Sequence, residues 1–482
     1  MASPVFFFFI MTLFSISYSH LILPLTHTLS TTQSNTTTHH LLKSSTTRSS
    51  TRFRRHRHQQ ISLPLSPGSD YTLSFSLGSQ TISLYMDTGS DVVWLPCHPF
   101  ECILCEGKFN PSSIPHPTPL NLTSAAATNC KSAACSAVHS SLASPDLCAV
   151  ANCPLESIEI DECQSYSCPP FYYAYGDGSF VAKLYEDTLS IPMSTPSLKL
   201  PKFTFGCANS ALGEPIGVAG FGRGVLSLPT QLAKKSPEIG NYFSYCLVSH
   251  AFETKGIRSP SPLILGRYEK KQSKTEEERN NNDEVVYYSY TPMLDNPKHL
   301  YFYCVGLEAI SIGKRRIRAP ESLRKVDGKG DGGMVVDSGT TFTMLPRKFY
   351  NSVVSEFGKQ VGAVYRRAGR VEERTGLSPC YYGKVGVKDF ANVPGLVFHF
   401  GGNSTMRMPR RNYFHEFYDG ESRRKVGCVM VMDGGDEAEG GGGPAGLLGN
   451  YQQQGFEVVY DLEEKRVGFA RRECASLWDA LK

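Results

Sequence analysis

The sequence Asp87-Thr88-Gly89-Ser90 is followed, after four residues, by Leu95-Pro96, and Asp337-Ser338-Gly339-Thr340 is followed, after four residues, by Leu345-Pro346. Each acidic turn comes directly after an apolar run, at residues 84–86 and 334–336. A weaker echo pairs Val-Ala-Gly at residues 218–220 with Leu-Leu-Gly at residues 447–449. This repetition predicts two similar lobes, each of which contributes one Asp.

A single turn of this kind is a weak signal, because Asp, Ser, Thr and Gly are ordinary turn residues. Two copies, each directly after an apolar run, favour a catalytic role for the two Asp residues. Two carboxylates that meet across a lobe interface share one proton at acidic pH. The ionised one can then act as general base on a water, while the protonated one donates to a carbonyl oxygen. Glycine lets backbone N–H groups approach the carboxylates, and the hydroxyls can fix both acids in place.

The rest of the chain is predicted to be mostly β. Alternating apolar residues predict strands at residues 71–77 and 82–86, joined by a turn at 78–80, with similar alternation at 301–312 and 456–469. The clearest helix follows Pro346, where five apolar residues share one face: Tyr350, Val353, Val354, Phe357 and Val361. Polar stretches at 269–284, 325–333 and 434–443 are expected to be exposed loops.

Three common catalytic motifs are missing from the sequence. It contains no Gly-x-x-x-x-Gly-Lys, no His-Glu-x-x-His and no Gly-x-Ser-x-Gly. This argues against a nucleotide enzyme, a zincin and an ordinary α/β-hydrolase.

The two acidic turns, together with four further segments, resemble the pepsin family of aspartic proteases, and most closely its plant nepenthesin-like members. The further segments are Tyr-Ala-Tyr-Gly-Asp-Gly-Ser at 173–179, Phe-Gly-Cys at 205–207, Phe-Ser-Tyr-Cys-Leu at 243–247, and Tyr-Asp-Leu at 460–462 with Arg-Val-Gly-Phe-Ala at 466–470. The resemblance covers residues 61–474, and no saposin-like insert is evident. It implies a bilobal, mostly β fold with two pseudo-symmetric lobes, few short helices and a substrate cleft between the lobes.

The resemblance also assigns roles to individual residues. Asp87 and Asp337 are the expected catalytic pair. Ser90 and Thr340 are expected to bond the outer carboxylate oxygens, and Thr88 and Ser338 to anchor each turn to the opposite lobe, with Gly89 and Gly339 completing the turns. The expected flap over the substrate carries Tyr175, Gly176 and Asp177, and Trp94 is expected to orient the flap tyrosine. For Trp94, a plain packed core aromatic is the alternative.

The N-terminal 60 residues divide into two segments. Residues 1–19 are apolar, with small residues at their end, and are interpreted as a secretory signal peptide. Residues 20–60 are rich in Ser, Thr and His, with a basic cluster at 52–57. They are interpreted either as a disordered leader or as a propeptide whose cations pair with carboxylates of the body until cleavage or acid separates them. The N-terminal lobe is expected at 61–245 and the C-terminal lobe at 246–482.

Secretion is consistent with the cysteines and with the glycosylation sequons. Of 15 cysteines, nine lie in an insert at residues 97–168. A Cys-x-x-Cys at 102–105 could suggest zinc, but an oxidising compartment favours disulfides with one thiol left over, so no metal or cofactor is expected. Asn-x-Ser/Thr sequons occur at Asn35, Asn121 and Asn403, and glycosylation is expected at the last two.

The resemblance further suggests particular disulfide pairs. These are Cys207–Cys474, Cys380–Cys428, Cys105–Cys168, Cys97–Cys102 and Cys135–Cys148. Cys130 then has two candidate partners, Cys153 and Cys163, so the unpaired thiol could lie there. For Cys246 and Cys304, buried unpaired thiols are a reasonable interpretation.

The formal charge of +4 belongs to the leader, since residues 1–60 hold six basic residues and no acid, and residues 61–482 sum to −2. We therefore expect a monomeric, secreted aspartic endopeptidase that acts on proteins or peptides at acidic pH, in the extracellular space, the cell wall or the vacuole. Neither a nucleic-acid partner nor a stable membrane anchor is expected. The alternative is an inactive relative that binds glycans or inhibits a secreted glycosidase, although such relatives usually lose one acidic turn.

Overall fold

The computed structural model describes residues 20–28, 37–55, 71–103, 119–139, 142–175, 178–191, 198–213, 216–250, 252, 259–267, 286–384, 390–436 and 443–481. Its strands are β1 (Leu21–His27), β2 (Tyr71–Leu77), β3 (Gln80–Asp87), β4 (Trp94–Ile103), β5 (Ala126–Ala127), β6 (Phe171–Tyr175), β7 (Gly178–Ile191), β8 (Leu198–Leu212), β9 (Val218–Gly220), β10 (Tyr242–Cys246), β11 (Ser261–Leu265), β12 (Ser289–Leu294), β13 (Cys304–Val305), β14 (Leu307–Ile312), β15 (Arg315–Arg318), β16 (Met334–Val336), β17 (Thr343–Leu345), β18 (Arg366–Arg367), β19 (Cys380–Tyr382), β20 (Leu396–Phe400), β21 (Thr405–Arg407), β22 (Phe414–Asp419), β23 (Arg424–Val429), β24 (Val431–Asp433), β25 (Gly446–Leu448), β26 (Phe456–Asp461) and β27 (Arg466–Arg471).

The helices are fewer, and most are short. They are α1 (Thr38–Arg55), α2 (Ala133–Val138), α3 (Ser144–Val150), α4 (Leu155–Glu159), α5 (Leu228–Lys235), α6 (Glu321–Arg324), α7 (Arg347–Gly362), α8 (Gly369–Thr375), α9 (Arg410–Tyr413), α10 (Asn450–Gln453) and α11 (Cys474–Leu481). The predicted mostly β fold is confirmed. Helix α7 follows Pro346 and buries four of the five residues expected on its face, while Val354 is half-buried.

The acidic turn of the N-terminal half is reached through a hairpin. Strands β2 and β3 pair antiparallel around Gly78, whose φ of 57° suits the turn, and β2 buries every second side chain, as its alternation predicts. Strand β3 then runs parallel to β9, with Met86 opposite Ala219 and Asp87 opposite Gly220. The parallel neighbour fixes the end of β3, and Asp87 stands at that end.

The C-terminal half repeats this arrangement. Strand β16 runs parallel to β25, with Val335 opposite Leu447 and Val336 opposite Leu448, and Asp337 follows at once. The weaker repeat, at residues 218–220 and 447–449, therefore corresponds to β9 and β25, the strands that lie beside the two strands leading to the acids. This confirms the pseudo-symmetry that the repeat predicts.

A six-stranded sheet joins the two halves. Its order is β1-β11-β10-β26-β27-β12, and every pair in it is antiparallel. The central pair, β10 and β26, places Phe243 opposite Tyr460 with their rings stacked at 4.5 Å. Strand β1 lies at one edge of this sheet, as β12 does at the other.

The leader forms a strand and a helix within residues 20–28 and 37–55, so the interpretation as a disordered leader is wrong for these residues. Strand β1 buries alternate residues against β11, because Leu21, Leu23 and Leu25 face the core. Helix α1 packs on α8, β17 and β24. The basic cluster at 52–57 and the signal segment lie outside the described side chains, so the signal, the propeptide and the lobe boundaries remain predictions.

The disulfides differ from most of the pairs that the resemblance suggested. Only Cys380–Cys428, on neighbouring β19 and β23, is confirmed. The observed bonds otherwise join Cys97–Cys207, Cys130–Cys148, Cys135–Cys168, Cys153–Cys163 and Cys246–Cys474. Four suggested pairs are therefore wrong: Cys97–Cys102, Cys105–Cys168, Cys135–Cys148 and Cys207–Cys474. Cys102 is also disulfide-bonded, but not to Cys97.

Strand adjacency gives the physical reason for these differences. Cys97 on β4 lies beside parallel β8, where Cys207 sits with its Cα 5.4 Å away, which suits a disulfide. Cys246 at the end of β10 likewise meets Cys474 at the start of α11. Among the described residues the free thiol is the buried Cys304, as expected, whereas the interpretation of Cys246 as unpaired is wrong and the cysteines near Cys130 are paired.

Two surface features bear on the predicted environment of the chain. Asn121 and Asn403 are both exposed, as glycosylation acceptors must be, whereas Asn35 and the loop 269–284 lie outside the described residues. In the described part of the chain, no helix has both the length and the apolar character needed to cross a bilayer.

Candidate active site

The two acidic turns meet at the centre of the molecule. Asp87 is 3% exposed and Asp337 is 1% exposed. The backbone around each acid is held by its parallel neighbour, since Phe221 N donates to Asp87 O at 2.8 Å and Asp337 N donates to Leu448 O at 3.1 Å. Both carboxylates are therefore placed by buried strands, with no mobile loop between strand and acid.

Thr88 and Ser338 lock the turns to each other. Ser338 N donates to Thr88 Oγ1 at 2.8 Å, and Thr88 N donates to Ser338 Oγ at 3.1 Å. Each hydroxyl then donates onward into the opposite half, Thr88 to Val336 O and Ser338 to Met86 O. These four reciprocal bonds are buried and form the interlobe anchor that the resemblance implied for these two residues.

The glycines bring backbone donors and the partner acid close together. Gly89 N donates to Asp87 Oδ1 at 2.9 Å, and Gly339 N donates to Asp337 Oδ1 at 2.8 Å. A Cβ placed on Gly89 would lie 2.8 Å from Oδ1 and 3.1 Å from Oδ2 of Asp337. The Asp337 carboxylate thus lies directly against the Asp87 turn, and only glycine leaves it room.

The hydroxyls beyond the glycines behave differently in the two turns. Thr340 Oγ1 donates to Asp337 Oδ2 at 2.6 Å, as expected. Ser90 Oγ, in contrast, is buried and makes no hydrogen bond to any described atom, so the equivalent bond to Asp87 is not formed. The pseudo-symmetry of the turns therefore stops at this hydroxyl.

A second layer of polar side chains supports the turns from behind. Asn450 Nδ2 donates to Ser338 O at 3.0 Å, and Gln453 Nε2 donates to Asp337 O at 3.3 Å. Tyr460 and Tyr245 are hydrogen-bonded at 2.9 Å, and Tyr460 Oη also lies 3.5 Å from Thr88 Oγ1. Burial raises the pKa of both tyrosines well above the ordinary value, so both hydroxyls stay protonated and can donate.

Sequence reasoning did not assign these supporting roles. The only indication of these roles in the sequence was that Tyr245 and Tyr460 lie in segments on which the family resemblance rests. Asn450 and Gln453 follow directly after the Leu-Leu-Gly echo, where polar residues in an apolar setting could have been noticed.

Asp91 is a further residue whose role was not predicted. Its carboxylate accepts from Gly224 N at 2.7 Å and fastens the loop at 222–226 to the first acidic turn. A Cβ on Gly224 would lie 2.1 Å from Asp91 Oδ2. Burial raises the pKa of Asp91 to about 6, although backbone hydrogen bonds from Gly224 and Leu226 oppose the shift.

The predicted flap is the hairpin formed by β6 and β7. Trp94 is 1% exposed and stacks on Phe180 of β7 at 4.3 Å, and Phe180 stacks in turn on Tyr173 of β6 at 5.5 Å. Trp94 is thus a packed aromatic that contacts the flap hairpin, and its expected role in orienting the flap tyrosine remains a prediction. The side chain of Tyr175, together with Gly176 and Asp177, lies outside the described residues, so their roles remain predictions.

One group of side chains in the described part of the chain has possible metal-ligand atoms within 4.8 Å of one another, Cys135, His139 and Cys168. The disulfide Cys135–Cys168 occupies both sulfurs. This group therefore offers a metal only the His139 imidazole. The acidic centre, for its part, has what water activation needs: two adjacent carboxylates that backbone N–H groups and hydroxyls hold in place.

Comparison with known proteins agrees with this geometry. Residues 71–267 match the family described as Xylanase inhibitor N-terminal, and residues 302–471 match the family described as Xylanase inhibitor C-terminal. A probable aspartyl protease of Arabidopsis thaliana is 61% identical over 439 residues, which cover 88% of this chain and 86% of that protein. Aspartic proteinase nepenthesin-1 of Nepenthes gracilis is 28% identical over 415 residues, which cover 84% of this chain and 78% of that protein.

Solved structures agree on the fold. The crystal structure of EDGP superposes with a TM-score of 0.60 at 18% identity and covers 95% of this chain and 96% of that one. The crystal structure of Basic 7S globulin from soybean gives a TM-score of 0.59 at 18% identity, covering 96% of this chain and 100% of that one. At this identity the likeness concerns the fold alone.

Proposed function

Since the chain belongs to the plant pepsin-like aspartyl protease family, we propose that it is an active endopeptidase in which Asp87 and Asp337 together activate a water molecule. The observation that carries the proposal is the reciprocal hydrogen bonding of Thr88 and Ser338, which holds both acidic turns intact and face to face. A chain that has lost catalysis has no need to keep both acids in this register.

The proposed chemistry needs one proton on the pair. The ionised carboxylate takes a proton from water as the water attacks the peptide carbonyl, and the protonated carboxyl donates to the carbonyl oxygen. The nucleophile is water, so no covalent acyl-enzyme forms. The burial of both acids excludes bulk solvent and strengthens their mutual repulsion, which favours a single shared proton.

An acidic pH optimum follows from the shared proton, because both acids ionise as the pH rises and the general acid is lost. We further propose that the protein is a secreted monomer that cleaves proteins or peptides outside the cell, in the cell wall or in the vacuole. The disulfides and the exposed sequons Asn121 and Asn403 support this location.

The test is pepstatin-sensitive cleavage of a denatured protein substrate by the purified chain from pH 3 to pH 8. Asp87→Asn and Asp337→Asn should each abolish cleavage while the fold is kept. Asp146→Asn removes one exposed carboxylate elsewhere and is the matched control. Near-normal turnover in either active-site variant, or equal rates at pH 4 and pH 8, would contradict the mechanism.

A binding or inhibitory protein is the second candidate, because both matching families are described as xylanase inhibitors. The two intact acidic turns favour the protease. If the purified chain cleaves nothing across the pH range yet inhibits a xylanase at stoichiometric concentration, the inhibitor function replaces the proposal.

A further inference from the structure

The four-stranded sheet of the C-terminal half, ordered β15-β14-β20-β21, buries one of its faces and leaves the other on the surface. Ile310 of β14 pairs with Phe398 of β20, and Phe398 pairs with Met406 of β21. All three side chains are buried. Because side chains alternate along a strand, the residues next to these three point to the opposite face.

The outer face of this sheet carries three arginines. Two rows of paired residues cross the face from one edge strand to the other. The first row consists of Arg316, Ser311, Val397 and Arg407, and the second of Arg318, Ala309, His399 and Thr405. The arginines lie on the two edge strands and are all exposed, whereas the residues of the two middle strands are buried or half-buried. The face is therefore flat in the middle and cationic at both edges.

The two arginines of the first row are far apart but act on the same region. Neighbouring strands lie about 4.8 Å apart, so three strand spacings separate the backbones of Arg316 and Arg407 by about 14 Å. Burial lowers the pKa of His399, which lies between them, and the Arg316 and Arg407 cations lower it further. A ligand that engages both arginines must therefore be extended and carry more than one negative charge.

The arginines of this face have no acidic partner of their own. Within the described ranges, Arg316, Arg318 and Arg407 form no ion pair and donate no side-chain hydrogen bond. This is unusual because the chain from residue 61 to residue 482 has a formal charge of −2 and contains enough acids to neutralise its cations. The exposed positive charge is therefore available to a partner.

Two acids lie at the Arg318 end of the face, and both have other cationic partners. Glu308 of β14 lies 4.0 Å from Arg324, and Glu321 lies 3.1 Å from Lys325. The hydrogen bond from Lys325 is the main reason that the pKa of Glu321 is lowered, and Arg318 contributes to the same shift. The least compensated positive charge is therefore that of the first row.

The other side chains of the sheet restrict the kind of polyanion that fits. Single-stranded nucleic acid binds by stacking its bases on aromatic side chains, and a membrane surface takes up exposed apolar ones. None of the four strands has an exposed large apolar or aromatic side chain. The middle of the face offers instead the Ser311 hydroxyl and the His399 imidazole, hydrogen-bonded to each other at 2.8 Å, beside the exposed Thr405 hydroxyl. These groups suit the hydroxyls of a sugar, and planar guanidinium groups suit carboxylates.

We propose that this face binds an acidic polysaccharide whose sugars carry carboxylates. Arg316 and Arg407 bind carboxylates at two points along the polymer, and Ser311, His399 and Thr405 hydrogen-bond the sugar hydroxyls between those points. No residue of the face belongs to the acidic turns or to the side chains that support them. Binding to the polymer is therefore independent of the proposed catalysis and would hold the protein where such polymers are present.

The test measures the affinity of the purified chain for an oligomer of galacturonic acid by calorimetry at pH 7. N-linked glycans are removed first, because Asn403 lies in the turn between β20 and β21. The affinity should fall as NaCl is added, since the contacts are exposed. Arg316→Gln/Arg407→Gln should weaken binding roughly tenfold or more, because two charge-assisted contacts are lost. Arg366→Gln/Arg370→Gln removes two exposed arginines from β18 and α8 and is the matched control, which should bind as the parent does.

Two further variants separate the possible causes of binding. Arg316→Lys/Arg407→Lys keeps the charge but not the planar fork, and should recover only part of the affinity. Asp87→Asn should bind as tightly as the parent, so that an inactive protein and a protein that does not bind the polymer are distinguished.

Four results would overturn the proposal. They are the absence of binding at low salt, an equal loss of affinity in both double glutamine variants, equal affinity for the fully methyl-esterified oligomer, and tighter binding of a glutamate oligomer of the same charge. The second would assign binding to net charge rather than to this face. The last would identify the partner as an acidic peptide, which can pair with the edge strand β15 through its backbone.

Discussion

Asp91 offers a stability experiment whose sign is set by the structure. Its carboxylate is largely buried and accepts from Gly224 N, and its pKa rises from 3.8 to about 6 on folding. A raised carboxyl pKa means that the folded state binds the proton more tightly than the unfolded state. The contribution of Asp91 is therefore most favourable below pH 4, and the free energy of unfolding falls as the pH rises from about 4 to about 6.

The size of the effect follows from the shift. Two pKa units correspond to about 3 kcal/mol between the two protonation states, which is an upper value for a side chain that keeps some solvent contact. In Asp91→Asn, the amide oxygen can still accept from Gly224 N but no longer titrates. The variant should therefore match the parent at pH 4 and be up to about 3 kcal/mol more stable at pH 7.

Urea unfolding at pH 4, 5, 6 and 7 measures this difference. Both chains carry Asp337→Asn so that neither can digest itself, and only the difference between them is interpreted, which cancels every other titration. Exposed Asp146→Asn is the control and should change nothing with pH. If Asp91→Asn lowers stability by the same amount at every pH, the carboxylate titrates normally in the fold and the reasoning is wrong.

Three shorter predictions concern the acidic turns and the free thiol. Gly89→Ala places a methyl group 2.8 Å from Asp337 Oδ1, and should lower kcat at least tenfold with little change in the melting temperature. Thr88→Ala leaves the Ser338 backbone N–H without its acceptor, and should cost about 1–3 kcal/mol in urea unfolding, whereas Thr88→Ser should recover most of it. Cys304 is buried and free, so a thiol reagent should find no reactive cysteine in the native chain and one after denaturation.

The two acidic turns of the candidate active site were predictable because the sequence contains the turn twice, in similar surroundings. Each copy of the acidic turn is ambiguous alone, but the repeat at matched distances from Leu95-Pro96 and Leu345-Pro346 argues against a chance match. The strands that flank the turns were also predicted correctly, because the burial of every second side chain in a strand follows from the local sequence. What the repeat could not supply was the difference between its copies, and the structure shows that difference at Ser90 and Thr340.

The disulfide pairs were not predictable for a related reason. Pairing depends on which strands lie side by side, and Cys97 and Cys207 are 110 residues apart in sequence. A near neighbour in sequence such as Cys102 lies on the same strand as Cys97 and not on the strand beside it. Only Cys380–Cys428, on adjacent strands of one small sheet, agreed with the suggestion.

The leader strand β1 was not predicted, because the composition of the leader hid its alternating pattern. Leu21, Leu23 and Leu25 alternate as a strand should, but they precede a Ser/Thr-rich, basic stretch that dominates the average. In the six-stranded sheet, β1 occupies the outer position that β12 occupies in the other half. The leader strand therefore completes the symmetry of the fold in this chain.

This placement separates two ways in which the leader could be held, and salt distinguishes them. If the cations at residues 52–57 hold it through ion pairs, 1 M NaCl at pH 7 should weaken its docking, because the screening length falls to about 3 Å. If the buried leucines of β1 and Leu42 of α1 hold it, the same salt should leave the hydrogen-exchange protection of the α1 amides unchanged, because those contacts carry no charge to screen. A loss of this protection in 1 M NaCl would assign the docking to the basic cluster rather than to the apolar contacts of β1 and Leu42.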